Sequence, residues 1–301
     1  MPPMTTAPAT TTAPATTTIP ASRPRLTGAS VLIRRTGEVQ VGYSAERALL
    51  VRPPHPGTTT ALVSLLRAMN GVPSLPELAL LAKPAGLTPG ALRLLMAELA
   101  GRGLLHWHGA PVHPIAPAVA EVHGDGPLSE ALAQSLAAAK LVVRRSRGPR
   151  MAEHRGGRPP DVVILGDCLM IEPSLAAELI ATRTPHLPVQ LRDGTGVVGP
   201  LVLPGRTSCL RCADLHRSDR DPEWPALSAQ LRGQHGDGSA AAVLATAGLA
   251  LAQVELLFAG ADGDSAGPGS LNATLEVDVH RDSLCRRPWP AHPHCGCGAH
   301  P

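Results

Sequence analysis

Aromatic side chains are nearly missing from this chain: Phe, Trp and Tyr together supply 2% of its 301 residues. A core built on aromatic packing is excluded, so the 44% hydrophobic content must be packed from Leu, Val, Ala and Ile. A strong excess of one charge is missing too. The net charge is +3, and the basic residues fall in short clusters: Arg34-Arg35, Arg144-Arg145 with Arg147 and Arg150, and Arg286-Arg287. Nucleic-acid proteins gather such residues into a stripe, so these clusters read as solvated surface and argue against a nucleic-acid partner. The N-terminus has no charged start, apolar middle and small-residue cleavage site of a secretory signal. The longest apolar run, 240–260, is about the length of a membrane span. It carries Gln253 and Glu255 and is rich in Ala and Gly, which reads as a buried helix. The expected location is therefore the cytoplasm, with no membrane partner. There, paired cysteines point to metal and not to disulfides.

The length suits two ordinary domains, or one domain with an appended module. Residues 1–28 alternate Thr, Ala and Pro and are expected to form a disordered tail. Residues 29–110 read as a winged-helix-like module. Strands at 31–33 and 39–41 flank Thr36-Gly37, a hairpin signal, and 48–51 adds a third. A helix follows over 60–69, ended by Asn70-Gly71. Ser74-Leu75-Pro76-Glu77 is a capping box opening a second helix, and Thr88-Pro89 opens a third. Leu92, Leu95, Met96 and Leu99 line one face of that third helix, and a strand over 104–107 closes the module. Pro111, Pro114 and Pro117 mark a linker.

From 118 to 301 the pattern alternates strand and helix, which argues for an α/β fold with a largely parallel sheet. Strands are expected at 119–122, 141–143, 161–165, 189–191, 197–203 and 275–279, and helices at 128–139, 173–181 and 240–258.

Cysteine spacing is the sharpest signal. Cys209-Leu210-Arg211-Cys212 and Cys295-Gly296-Cys297 are two close pairs, each able to aim two thiolates at one ion. Together they complete the tetrahedral shell that zinc takes in structural sites, with no position left for water. Gly296 and Gly298 suit the tight backbone such a pair needs. His292, His294 and His300 lie close enough in sequence to substitute for a thiolate. Cys168 and Cys285 stand alone and read as core or surface residues.

A second motif is Gly124-Asp125-Gly126-Pro127-Leu128-Ser129, between a strand and a helix. In a nucleotide-binding turn, glycines let phosphate approach the backbone and the helix N-terminus attracts its charge. Here Ser129 stands in place of the third Gly, Pro127 removes a backbone donor, and Asp125 adds negative charge. Arg144-Arg145 ends the next strand, where an acidic ribose ligand would sit, and could instead accept the 2′-phosphate of NADP. The motif reads as a degraded turn that still packs strand on helix, and it argues against bound ATP.

These features in order resemble the ThiF/MoeB/HesA superfamily of ubiquitin-activating-like adenylyltransferases. The shared pattern is the Gly124–Gly126 turn, the strand ending at Gly166-Asp167, the Cys209/Cys212 pair, the helix 240–258 and the Cys295/Cys297 pair. The stretch 198–212, with Asp214-Leu215-His216-Arg217 and Asp221-Pro222-Glu223-Trp224-Pro225, is similar to ThiF-like cyclodehydratase partner proteins. Those belong to pathways that make thiazole- and oxazole-modified peptides. The resemblance implies a Rossmann-like ThiF-type sheet with a structural zinc at Cys209, Cys212, Cys295 and Cys297. It also implies an N-terminal winged-helix module that binds a precursor's leader peptide. Gly124, Gly126 and Asp167 would be the vestige of the nucleotide site, Asp167 falling near the family's metal–ATP aspartate, with no catalytic residue assigned. In that subgroup the ATP chemistry belongs to a YcaO-type partner enzyme, and the ThiF-like protein presents the peptide. A leader would add as a strand beside 31–33 or 39–41, with pockets along the Leu92–Leu99 helix. Two alternatives stand beside this reading: an active adenylyltransferase, and a winged-helix DNA-binding regulator. A homodimer, which the relatives often form, stays open.

Overall fold

A computed structural model describes residues 23–71, 73–108, 118–148, 158–258 and 267–299. Most of the expected tail lies outside the described residues, as do Pro111, Pro114 and Pro117, Arg150 and His300. The chain divides into two compact units, one ending at His113 and the other beginning at Pro114.

The first unit runs β1 (Arg23–Leu26), β2 (Val31–Ile33), β3 (Val39–Val41), β4 (Leu49–Val51), α1 (Thr59–Ala68), α2 (Leu75–Ala82), α3 (Pro89–Gly101) and β5 (Leu105–His108). Strand β1 corrects the extent of the expected tail. Its burial alternates, with Pro24 and Leu26 turned in and Arg23 and Arg25 out. It pairs antiparallel with β5, while the Leu26 N–H donates to the Met69 carbonyl. A two-residue apolar alternation is too short to stand out from the Thr/Ala/Pro stretch before it. The caps form as the sequence dictates: Ser74 and Glu77 close a reciprocal box, and Thr88 Oγ1 accepts from the Ala91 N–H at 3.2 Å. The core is aliphatic, built from Leu62, Leu65 and Leu66 of α1, Leu78 of α2 and Leu92, Met96 and Leu99 of α3.

Strands β2, β3 and β4 form a separate antiparallel sheet with β3 in the middle. Residues 39–41 are therefore hydrogen-bonded on both sides and cannot receive an added strand. Leu92, Leu95, Met96 and Leu99 are core residues, all below 9% exposure, so they offer no pocket to a ligand.

The second unit continues with β6 (Val119–His123), α4 (Pro127–Ala138), β7 (Val142–Ser146), β8 (Val162–Gly166), α5 (Pro173–Ala181), β9 (His186–Arg192), β10 (Thr195–Val198), α6 (Leu210–Arg220), α7 (Trp224–Gln230), α8 (Ala240–Phe258), β11 (Ala273–Asp278) and β12 (Ser283–Pro288). They build one seven-stranded sheet in the order β12-β11-β10-β9-β8-β6-β7. Strands β7, β6, β8 and β9 run parallel, but β9 to β12 are joined by antiparallel pairings. The sheet is thus mixed, not largely parallel. The reason lies in Asp193-Gly194, two residues in the left-handed region with φ of 50° and 78°. They close a tight hairpin of the kind that Asp-Gly favours, turning the chain straight back.

Strand β8 shows how the sheet is covered. Its residues alternate between two cores: Val162 and Ile164 face the side of α4 and α8, and Val163 and Leu165 face α5. A strand buried on both faces reads as a continuous apolar run. Helix α8 is less enclosed than expected. Ala242, Thr246, Ala247, Ala250, Gln253 and Val254 are buried, whereas Leu244 is 67% exposed. Its length and hydropathy would allow a membrane crossing. However, it lies against β9, β10, β11 and α4, and Gln253 Oε1 accepts from the Ser270 N–H at 3.0 Å.

The contact between α8 and β10 needs Gly196, where any Cβ would land inside Thr246 Oγ1 and against Val277 Cγ1. Gly196→Ala should therefore cost about 1–3 kcal/mol, the usual cost of overpacking. Urea denaturation checks this, and an unchanged midpoint would mean that α8 is free to shift.

Candidate functional site

The topological reversal of the parallel strands falls between β6 and β8, where open α/β sheets place their ligands. The glycine turn leaves β6 there, and Asp167 leaves β8. Gly124 takes a φ of 144°, open to glycine, and its N–H donates to the Ser146 carbonyl at 2.9 Å. Asp167 is itself left-handed, with φ of 65°, and only 2% exposed. Its carboxylate points into the N-terminus of α4. It accepts from the N–H of Gly126 at 2.9 Å, of Leu128 at 3.1 Å and of Ser129 at 3.3 Å, and also from the Ser129 hydroxyl.

A helix N-terminus leaves its first amides without intrahelical partners, and those amides carry partial positive charge. In a phosphate-binding turn they face the ligand. Here an internal carboxylate takes them. A Cβ at Gly126 would collide with the Asp167 carboxylate, and one at Gly124 with Ser129 Oγ and the Gly166 carbonyl. The glycines thus admit the chain's own side chains to the turn. The arginines at the end of β7 are also engaged: Arg145 pairs with Glu130 at 2.9 Å, and Arg144 donates to the Arg158 carbonyl at 2.6 Å.

The four cysteines converge at the start of α6. Cys209 is its N-cap and Cys212 lies in its first turn. Cys295 and Cys297 arrive from the chain end, with the Cys295 N–H donating to the His292 carbonyl at 2.9 Å. The sulfur separations are 3.8 Å for Cys209–Cys212 and 3.6 Å for both Cys209–Cys295 and Cys212–Cys297. A tetrahedron with metal–sulfur bonds of about 2.3 Å has edges of about 3.8 Å, so the spacing fits one zinc-sized ion. All four are free thiols. Of the two glycines expected to shape this turn, Gly298 has a positive φ of 80° and Gly296 does not.

Burial pushes the Cys209 thiol far above its ordinary value and Cys295 up to about 11. Cys297 is pushed up by burial too, but hydrogen bonds from the Ala299 backbone and the neighbouring thiols outweigh that and leave it lowered. Four thiolates in so small a volume repel one another, and a divalent cation is the natural counter-charge.

A clasp that spacing did not foretell surrounds the cluster. Trp289 is 3% exposed, and Arg217 and Arg220 of α6 lie over its ring at 4.7 and 5.0 Å. Its Nε1–H donates to Thr274 Oγ1 at 3.1 Å. His292 Nε2 bonds Asp219 at 2.9 Å, and His216 Nε2 bonds the Pro290 carbonyl at 3.1 Å. His216, Asp219 and His292 converge closely enough to suggest a second metal site. The tautomer argues against it. His292 Nδ1 accepts the His294 N–H at 3.1 Å, so the ring proton sits on Nε2 and is given to Asp219. The trio is a brace between α6 and the chain end. Of the solitary cysteines, Cys168 is half-buried and Cys285 exposed.

No family model and no curated protein matches this chain. Solved structures do. A heterocyclase bound to substrate and cofactor aligns over 92% of this chain at a TM-score of 0.59 and 16% identity. The heterocyclase TruD aligns over the same share at 0.60 and 16%. This chain shares their fold. It spans about two-fifths of their length, 40% and 43%. The microcin C7 biosynthetic enzyme MccB, in complex with N-formylated MccA, aligns over 92% of this chain and 99% of its own at 0.54 and 10% identity. Such low identities speak for the fold alone. Over most of the chain they agree with the α/β fold that the resemblance implies.

Proposed function

We propose that this chain is a non-catalytic ThiF-like partner protein that binds the leader of a precursor peptide and presents it to a YcaO-type enzyme. The observation that carries the non-catalytic part is Asp167. Its carboxylate accepts from the Gly126, Leu128 and Ser129 amides, donors that an adenylating site would turn to a nucleotide phosphate. Zinc at Cys209, Cys212, Cys295 and Cys297 is structural in this reading, because a closed thiolate shell leaves no position for substrate.

Peptide binding is assigned to the first unit, read as a winged-helix-like module, and specifically to β2. In an antiparallel ladder, alternate residues bond to the neighbour. Residues 30 and 34 bond across to β3, through Gly42 N–H to Ser30 O and Arg34 N–H to Glu38 O. Residues 31 and 33 therefore turn their N–H and C=O groups to the open edge. Leu32 and Ile33 are 42% and 58% exposed there, which suits an added strand with apolar side chains. One structural neighbour, MccB, is in complex with N-formylated MccA. Arg93 of α3 folds back on the Pro89 carbonyl at 3.2 Å, which gives the DNA-binding alternative little to contact phosphate with.

Titration of the full chain with precursor peptides encoded beside its gene tests the reading. Micromolar binding is expected, with loss of about tenfold or more in Ile33→Pro. That change deletes an outward N–H and spares the internal ladder. ATP–pyrophosphate exchange measured with the same peptides should be absent; detectable exchange would establish the adenylyltransferase alternative instead.

A further inference from the structure

The net charge of +3 hides an uneven division. Residues 1–113, the first unit, carry ten Arg and Lys against four Glu and no Asp, whereas the rest of the chain carries 17 against 20. The first unit is therefore basic on its own, and its few acids are mostly engaged inside it. Glu38 pairs with Arg52 at 2.9 Å, Glu98 with Arg102 at 3.6 Å, and Glu77 closes the box with Ser74. A surplus of one charge on a surface sets the sign of the partner it attracts.

That surplus meets the open edge of β2 at Arg34 and Arg35. Both follow the strand directly, and both are exposed. Arg34 continues the ladder, its N–H donating to the Glu38 carbonyl at 2.9 Å. It lies two residues beyond Leu32 and so shares that residue's face of the sheet. Its Nε donates to Gln40 Oε1 at 3.1 Å, which steadies the side chain on that face. Glu38 and Arg52 complete the row, giving two cations to one carboxylate. On the other side of β2, Ile33 is 58% exposed and offers apolar surface. The helix that would enter a DNA groove in a winged helix-turn-helix, α3, holds only Arg93 among the ten cations.

We propose that the segment added to β2 is acidic: an extended peptide whose apolar side chains cover Ile33 and whose Asp or Glu side chains meet Arg34 and Arg35. This rests on the reading that a leader pairs with β2, and it names the chemistry of that leader.

The full chain is titrated with the precursor peptide encoded beside its gene. A second titration uses the same peptide with Asn and Gln in place of every leader Asp and Glu. The leader should carry a net negative charge, and the acidic form should bind about tenfold more tightly. Each exposed charge pair is worth up to about fivefold, and two arginines are available. Raising NaCl from about 0.05 to about 0.5 M should remove most of that difference by screening. The double variant Arg34→Gln with Arg35→Gln should bind both forms alike, at the affinity of the amidated one, with an unchanged circular dichroism spectrum. A neutral or basic leader, equal affinities in the unmodified chain, or an acid preference that survives the double variant would each overturn the inference. So would a random-sequence DNA duplex that binds more tightly than the acidic peptide. Ile33→Pro tells the two failures apart. Binding that responds to Ile33→Pro but not to charge refutes only the acidic leader, whereas no binding of either peptide refutes strand addition itself. If the double variant does not fold, the salt dependence and the preference of the unmodified chain decide the question.

Discussion

Asp167→Ala is expected to destabilise the second unit by on the order of 3 kcal/mol, equivalent to roughly a 10 °C drop in Tm for a unit of this size. The carboxylate is 2% exposed and accepts from the Gly126, Leu128 and Ser129 amides and from the Ser129 hydroxyl. Alanine leaves those donors facing one another at the positive end of α4, and it loses the favourable charge–dipole term as well. Asp167→Asn should fall between, since an amide keeps one acceptor but turns an NH₂ toward N–H groups. A working nucleotide site predicts the opposite pattern: an unchanged Tm and a change confined to ATP binding. Thermal unfolding followed by circular dichroism, with an ATP titration alongside, separates the two. An unaltered Tm in Asp167→Ala would sink the structural role given to this residue.

Cys209→Ser should give a soluble protein that fails to retain stoichiometric zinc. Structural zinc sites in isolated peptides bind with roughly 10–16 kcal/mol of apparent free energy, but the loss here should be local. Trp289 beneath Arg217 and Arg220, and His292 on Asp219, still tie the chain end to α6. Hydrogen exchange should accelerate over 209–220 and 289–299 while β6 and β8 keep their protection. Zinc content comes from a chelator assay, and full retention in the variant would count against the site. The pH dependence has a definite sign. Burial raises the Cys209 thiol and holds Cys295 at about 11, so zinc must displace protons as it binds, and its affinity falls as the pH falls.

Much of this was legible beforehand because the signals were local. The Ser74/Glu77 box, the Thr88 cap and the apolar face of α3 follow from side chains a few residues apart. The hairpin at Asp193-Gly194 was legible too, yet the alternating strand and helix pattern before it suggested that the parallel arrangement continued. Helix α6 is polar enough to resemble a loop, α7 is only seven residues long, and every residue of β12 is exposed, so its burial pattern has no alternation to read. Trp289 and Asp219 had no motif, and His292 stood out only as a stand-in for a thiolate, since each takes its role from a partner at least 15 residues away.

Two facts needed no fold: two cysteine pairs could share an ion, and the glycine turn departs from a nucleotide-binding pattern. Spacing and residue type suffice for both, because thiolate chemistry and the needs of a phosphate cradle are properties of a few adjacent residues. What replaces the phosphate depends on how distant strands pack. Asp167 and Gly126 are 41 residues apart, and their contact exists because β8 and β6 lie side by side in the sheet. Side-chain identity states what a group can do, and the packing of distant segments states what is left for it to do.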